Sequence, residues 1–178
     1  MARVVRVPVK RLTPEAAEGF GKVIRSLDEI EPIIRKGEMV KERMEVRRQG
    51  DELYFKNHAV DDEGVVAKLV GGAARVSYVN FHRDATQAFI GAGRKPTVFL
   101  LAKPTKNPRP EDFVGFYSDG SLGMSMFPDV WHTSPLPVEG SQEYENTQGN
   151  QYHHATVGHD FSPEDVVLEV PLEEPPGA

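Results

Sequence analysis

The chain has 178 residues, 39% of them hydrophobic and 27% charged, with no cysteine and a formal net charge of −6. That length is enough for one domain with a real core. The composition excludes a disulfide framework and thiolate chemistry, the acidic balance argues against nucleic acid, and no apolar run reaches the ~18 residues of a membrane span. The stretch from Met1 to Leu12 alternates Val with Arg and Lys. It holds no apolar h-region, so no signal peptide is expected, and the absent cysteines suit a reducing, cytoplasmic setting.

In chain order, Val4 to Val9 reads as an edge strand, because Pro8 cannot donate to a ladder. Thr13-Pro14-Glu15 carries the signals of a helix start: a capping hydroxyl, proline at the first helical position, and an acid in the first turn. Gly19-Phe20-Gly21 ends that helix early. A second short helix is expected around Asp28 to Arg35, limited by Pro32. From residue 39 the pattern turns to strand: Met39 to Val46, Leu53 to Phe55, Val65 to Val70, Arg75 to Phe81, Thr97 to Ala102, Phe113 to Tyr117 and Met124 to Phe127.

Val98 to Ala102 is apolar on both faces and predicts a central, covered strand. The basic residues between Arg43 and Arg48 form one strand face, and Gly71-Gly72 a turn. The three prolines between Lys103 and Asp112 predict a loop. Many short strands with one or two short N-terminal helices give a mainly β chain of the sandwich, jelly-roll or barrel type. Residues 1–172 are read as one domain and residues 173–178 as a flexible tail.

Three histidine contexts bear on chemistry. In a strand, Asn80 and His82 share one face while Phe81 takes the other, and Gln87 follows five residues later. The bland alternative is a satisfied polar cluster at a barrel mouth. Around Pro128-Asp129, a turn leads to Trp131 and His132 on opposite faces, one buried and the other free to face a cavity. A structural histidine beside a tryptophan is the alternative. Gln151 to His154 and His159-Asp160 form the third context, a polar loop or an extra source of imidazole ligands, since adjacent histidines in a strand cannot both face one site. Phosphate-cradling glycine loops, H-E-x-x-H, CxxC and G-x-S-x-G motifs are absent from the sequence.

Four segments together resemble the ureidoglycolate lyase family: Leu12 to Ala16 with Phe20 to Ile24, then His82 with Gln87-Ala88-Phe89-Ile90, then Val98 to Ala102, then Gly123 with Trp131-His132. The resemblance runs from about residue 5 to residue 137. It implies a cupin fold, a double-stranded β-helix barrel with a cavity at one end, and a homodimer. It also implies cleavage of ureidoglycolate to glyoxylate and urea, in purine breakdown through allantoin. In cupin terms Asn80, His82 and Gln87 take the places of the first metal motif and His132 that of the second.

On this resemblance His132, His82 and Gln87 are the candidate catalytic residues, and the same three are the candidate ligands of a divalent metal, which is not compelled. Asn80, Arg83, Arg94 and Lys95 are the candidate contacts to a small anionic metabolite, the last three because they are the cations nearest in sequence. The chain departs from the family at Thr133, where a histidine is usual, and at Asn80, where an acid is usual. Asn146-Thr147-Gln148 stands where an Asp-Arg pair ends the late strand. A different cupin lyase, hydrolase or isomerase acting on another small polar acid, or a non-catalytic binding cupin, are the other readings.

Overall fold

The computed structural model describes residues 1–177. Seventeen strands are found among them. They begin with β1 (Arg3–Arg6), β2 (Val9–Arg11), β3 (Gly21–Ile24), β4 (Met39–Gln49), β5 (Glu52–Asn57) and β6 (Asp62–Val70). The middle of the chain gives β7 (Ala73–Val76), β8 (Tyr78–His82), β9 (Gln87–Gly91), β10 (Thr97–Ala102), β11 (Val114–Ser118) and β12 (Gly123–Met126). Last come β13 (Trp131–His132), β14 (Leu136–Pro137), β15 (Gln142–Gly149), β16 (Thr156–Asp160) and β17 (Val166–Pro171). One sheet runs β1-β17-β7-β6-β5-β4-β15-β9-β12-β3, and a second runs β16-β8-β13-β10-β11-β2. This mainly β, two-sheet architecture is that of a cupin-like barrel.

The core forms between the sheets. All six residues of β10 are buried, as an uninterrupted apolar run requires of a strand covered on both faces. Phe99, Leu100, Phe116, Met124, Trp131, Tyr144 and Leu168 belong to one continuous cluster with it. β4 alternates instead: Met44 and Val46 are buried while Arg43 and Arg47 lie on the outer face. Arg48 shares the inner face and donates to the Val138 carbonyl, so the basic residues do not form the single strand face expected. Gly71 takes φ of +61°, the left-handed turn that joins β6 to β7 and that glycine adopts without strain.

The two expected N-terminal helices do not form. Thr13 does accept at Oγ1 from the Ala16 N–H, and its carbonyl accepts from Ala17, but the segment closes one turn and passes into β3. Around Asp28 only a 3-10 turn, Leu27–Glu29, is made, capped by Ser26. Pro32 and a lone bridge between Ile34 and Ala85 keep the following residues extended. Among the described residues the one α-helical turn is Tyr152–Ala155, which carries His153 and His154. At the end of the chain, Arg11 donates to the Glu174 carboxylate and the Pro175 carbonyl. Ala178, the last residue of the expected tail, lies outside the described residues. Among the described residues no helix is long and apolar enough to cross a membrane.

Candidate functional site

A cavity of about 360 Å³ opens between the two sheets at one end. One wall comes from β8, β13 and β16, the other from β4, β5, β6, β9 and β15. Strand alternation decides what each wall presents. In β8, Val79 and Phe81 go into the core, so Asn80 and His82 face the cavity. In β13, Trp131 is 1% exposed, edge-on to Phe81 at 4.6 Å, with its indole N–H donating to the Thr105 carbonyl. Its neighbour His132 is thereby turned into the cavity wall.

The turn before β13 brings these segments together. Asp129 takes φ of +71°, a conformation that Asp tolerates better than most residues. Its N–H donates to the His82 carbonyl, and its carboxylate pairs with Arg35 at 2.8 Å. His132 then lies opposite Asn80 in register, and the His82 and His132 ring centroids are 5.1 Å apart.

The hydrogen bonds fix both imidazole tautomers. His132 Nδ1 is 3.0 Å from the Val130 carbonyl, which only accepts, so the ring donates there. His82 Nδ1 is 2.7 Å from Thr156 Oγ1. That hydroxyl spends its proton on the Tyr152 carbonyl, so His82 must donate as well. Each ring therefore carries its proton on Nδ1 and leaves Nε2 with a lone pair. Burial pushes His132 down to about 4 and His82 down to about 3. A charge on His132 lowers His82 further, and the Gln87 carboxamide, which would accept from a protonated His82, acts the other way. Near neutral pH both rings are neutral.

The opposite wall is built of carboxamides. Gln87 donates from Nε2 to Gln148 Oε1 at 3.0 Å and to Asn146 Oδ1 at 3.3 Å, which leaves its buried Oε1 without a partner. Asn80 Oδ1 and the Tyr152 hydroxyl are likewise buried and unpartnered. Burial, reinforced by the carboxylates of Glu42 and Asp62, raises the Tyr152 phenol to about 12, so it stays a donor. Thr133 and Ser134 add hydroxyls to the lining.

Asn80, His82, Gln87 and His132 thus line one cavity. Arg83, Arg94 and Lys95 do not reach it. The Arg83 guanidinium lies over the Phe81 ring on the far side of β8. Arg94 occupies a turn with φ of +54°, and Lys95 donates from Nζ to the Ser141 carbonyl. Both sit past the distant end of β9, four strand residues beyond Gln87, roughly 13 Å along the chain. Among the described residues no Lys or Arg lines the cavity.

The late histidines separate. His153 lines the mouth against Tyr152, ring centroids 3.8 Å apart, and His154 points to solvent without lining the cavity. His159 binds Glu164 and packs against Phe161. Tyr152 and Thr156 were not singled out for this site from sequence, and Asn146 and Gln148 were noted as departures from the family's late strand without being placed in the cavity. The available signal was the alternation of the uncharged Gln142, Tyr144, Asn146 and Gln148 with Glu143 and Glu145 along β15.

For a divalent ion the donors fit in kind: Nε2 of His82 and His132 and the orphaned Oε1 of Gln87 all offer lone pairs. Each imidazole is also anchored through Nδ1, as ligating histidines are. The set lacks an anionic ligand, which weakens affinity. Among the described residues no three His, Cys, Asp or Glu side chains group as a metal cluster.

No curated protein matches the chain. A family model described as ureidoglycolate lyase matches residues 4–167. The match runs through β15 and β16 and beyond residue 137, where the motifs read from sequence stop. Carrying the histidines, the carboxamides and the late strands in one continuous alignment, the chain belongs to the ureidoglycolate lyase family, a family of carbon–nitrogen lyases.

Proposed function

We propose that the protein cleaves the C–N bond of a small carboxylated hemiaminal, ureidoglycolate, to give glyoxylate and urea by acid–base catalysis in this cavity. The observation that carries the reading is the convergence of two neutral imidazoles whose bare Nε2 atoms face the same space. The substrate carbon bears a hydroxyl, a carboxylate and a ureido nitrogen. Cleavage needs the hydroxyl proton removed, the carbonyl formed as C–N breaks, and a proton delivered to the leaving nitrogen.

His132, the more basic of the pair, takes the hydroxyl proton at Nε2. The imidazolium so formed is buried and strongly acidic, and it returns the proton to the ureido nitrogen. The charge on His132 keeps His82 unprotonated, so the pair holds a single proton, on His132. Such proton transfer contributes roughly 10²–10⁴-fold. Gln87 Oε1 and Asn80 Oδ1 accept from the ureido N–H groups, while the hydroxyls of Tyr152, Thr133 and Ser134 donate to the carboxylate. A divalent ion held by His82, Gln87 and His132 would take up these same lone pairs and would then supply Lewis-acid polarisation of the substrate hydroxyl in place of the His132 base.

The test is incubation of purified protein with ureidoglycolate, following urea and glyoxylate. Release well above the spontaneous rate supports the reading, and release at the spontaneous rate overturns it.

A further inference from the structure

Behind the carboxamide wall, a chain of side-chain hydrogen bonds ends on one carboxylate. Glu42 is half-buried on β4 and does not line the cavity. Its Oε2 accepts from Gln148 Nε2 at 2.9 Å and from Asn57 Nδ2 at 2.6 Å. Registry explains the meeting, since Glu42 lies opposite Asn146 on β15, one same-face step from Gln148. Met44, the next same-face residue of β4, lies opposite Asn57 on β5.

A carboxamide has a donor end and an acceptor end, and nothing in Gln87 alone says which faces the cavity. The carboxylate decides it, because an ionised carboxylate only accepts. Gln148 must turn its NH2 to Glu42, so its Oε1 faces Gln87. Gln87 must then turn its own NH2 to Gln148, and Oε1 is left facing the cavity, buried and without a partner. Asn57 obeys the same rule, donating to Glu42 while its Oδ1 accepts from the Ala59 N–H.

We infer that Glu42 is a positioning residue that sets the polarity of the cavity. Acting through Gln148, it holds Gln87 as an acceptor and so selects a ligand presenting N–H donors beside the two imidazoles. The inference rests on the proposed function only in taking this cavity as the ligand site.

Two non-cleavable probes separate the donor requirement from size and charge. N-carbamoylglycine and N-acetylglycine have the same shape and the same carboxylate, and differ by NH2 against CH3. Both lack the hydroxyl, so their affinities are read independently of whether ureidoglycolate is turned over. Wild-type protein is expected to bind the carbamoyl probe about tenfold more tightly, the worth of one buried hydrogen bond that the methyl probe leaves unmade. In Glu42→Met the relay loses its anchor, both carboxamides are free to turn, and the ratio is expected to fall to about twofold. A merely structural defect would weaken both probes alike. Gln148→Met breaks the relay with Glu42 in place and is expected to give the same fall, which keeps the test valid where the Glu42 variant does not fold. A wild-type ratio near one, binding of neither probe by the wild type, or an undiminished ratio in either folded variant would overturn the inference.

Discussion

His82 and His132 stand edge to face with ring centroids 5.1 Å apart, and both donate their Nδ1 protons away from the space between the sheets. Two lone pairs therefore face one cavity from partners too close to carry two charges. Nitrogen-detected NMR of labelled protein at pH 7 is expected to show both rings as neutral Nδ1–H tautomers. An imidazolium or an Nε2–H tautomer at either position would contradict the hydrogen-bond assignment.

Burial of His132 has a consequence for acid stability. Unfolded, the ring gains its proton below its ordinary value of 6.5, whereas folded it resists down to about 4. The unfolded state therefore binds more protons across that window, and stability falls as pH drops from 6.5 toward 4, by roughly 3 kcal/mol from this residue. Denaturant titrations at several pH values should show the loss, and His132→Gln should remove this residue's share of it while the share of His82, held still lower, remains over the same window.

Thr156 holds His82 by accepting from Nδ1. Thr156→Val keeps the shape and removes the acceptor, so the ring loses its fixed tautomer. We expect kcat/KM to fall by about fivefold, in keeping with one partly exposed hydrogen bond, with Thr156→Ser restoring most of it. Equal activity in the valine variant would show that holding His82 through this hydroxyl does not matter to the reaction.

Trp131 anchors the strand that carries His132. It is fully buried, edge-on to Phe81, and tied to the Thr105 carbonyl. Trp131→Ala should cost about 3–5 kcal/mol in chemical denaturation, the usual loss for a large buried aromatic.

Local patterns made much of this legible in the sequence. The apolar run of β10 announced a covered strand, and period-two alternation placed Asn80 with His82 and set Trp131 against His132. Where the reading relied on nearness along the chain it missed. Arg94 and Lys95 follow Gln87 closely in sequence, yet β9 carries them to the other end of the sheet. The helix signals at Thr13 were genuine, but one turn satisfied them before β3 paired with β12. The relay from Glu42 through Gln148 to Gln87 joins residues up to 106 positions apart, and only the pairing of β15 with β4 and β9 brings them together.

The most direct trial of the catalytic account is urea release from ureidoglycolate by wild-type protein and by His132→Gln, measured at pH 8, where acid destabilisation plays no part. The account predicts turnover in the wild type and a loss of about 10²–10⁴-fold in the variant, with its thermal unfolding still cooperative. A variant that releases urea at the wild-type rate would contradict it.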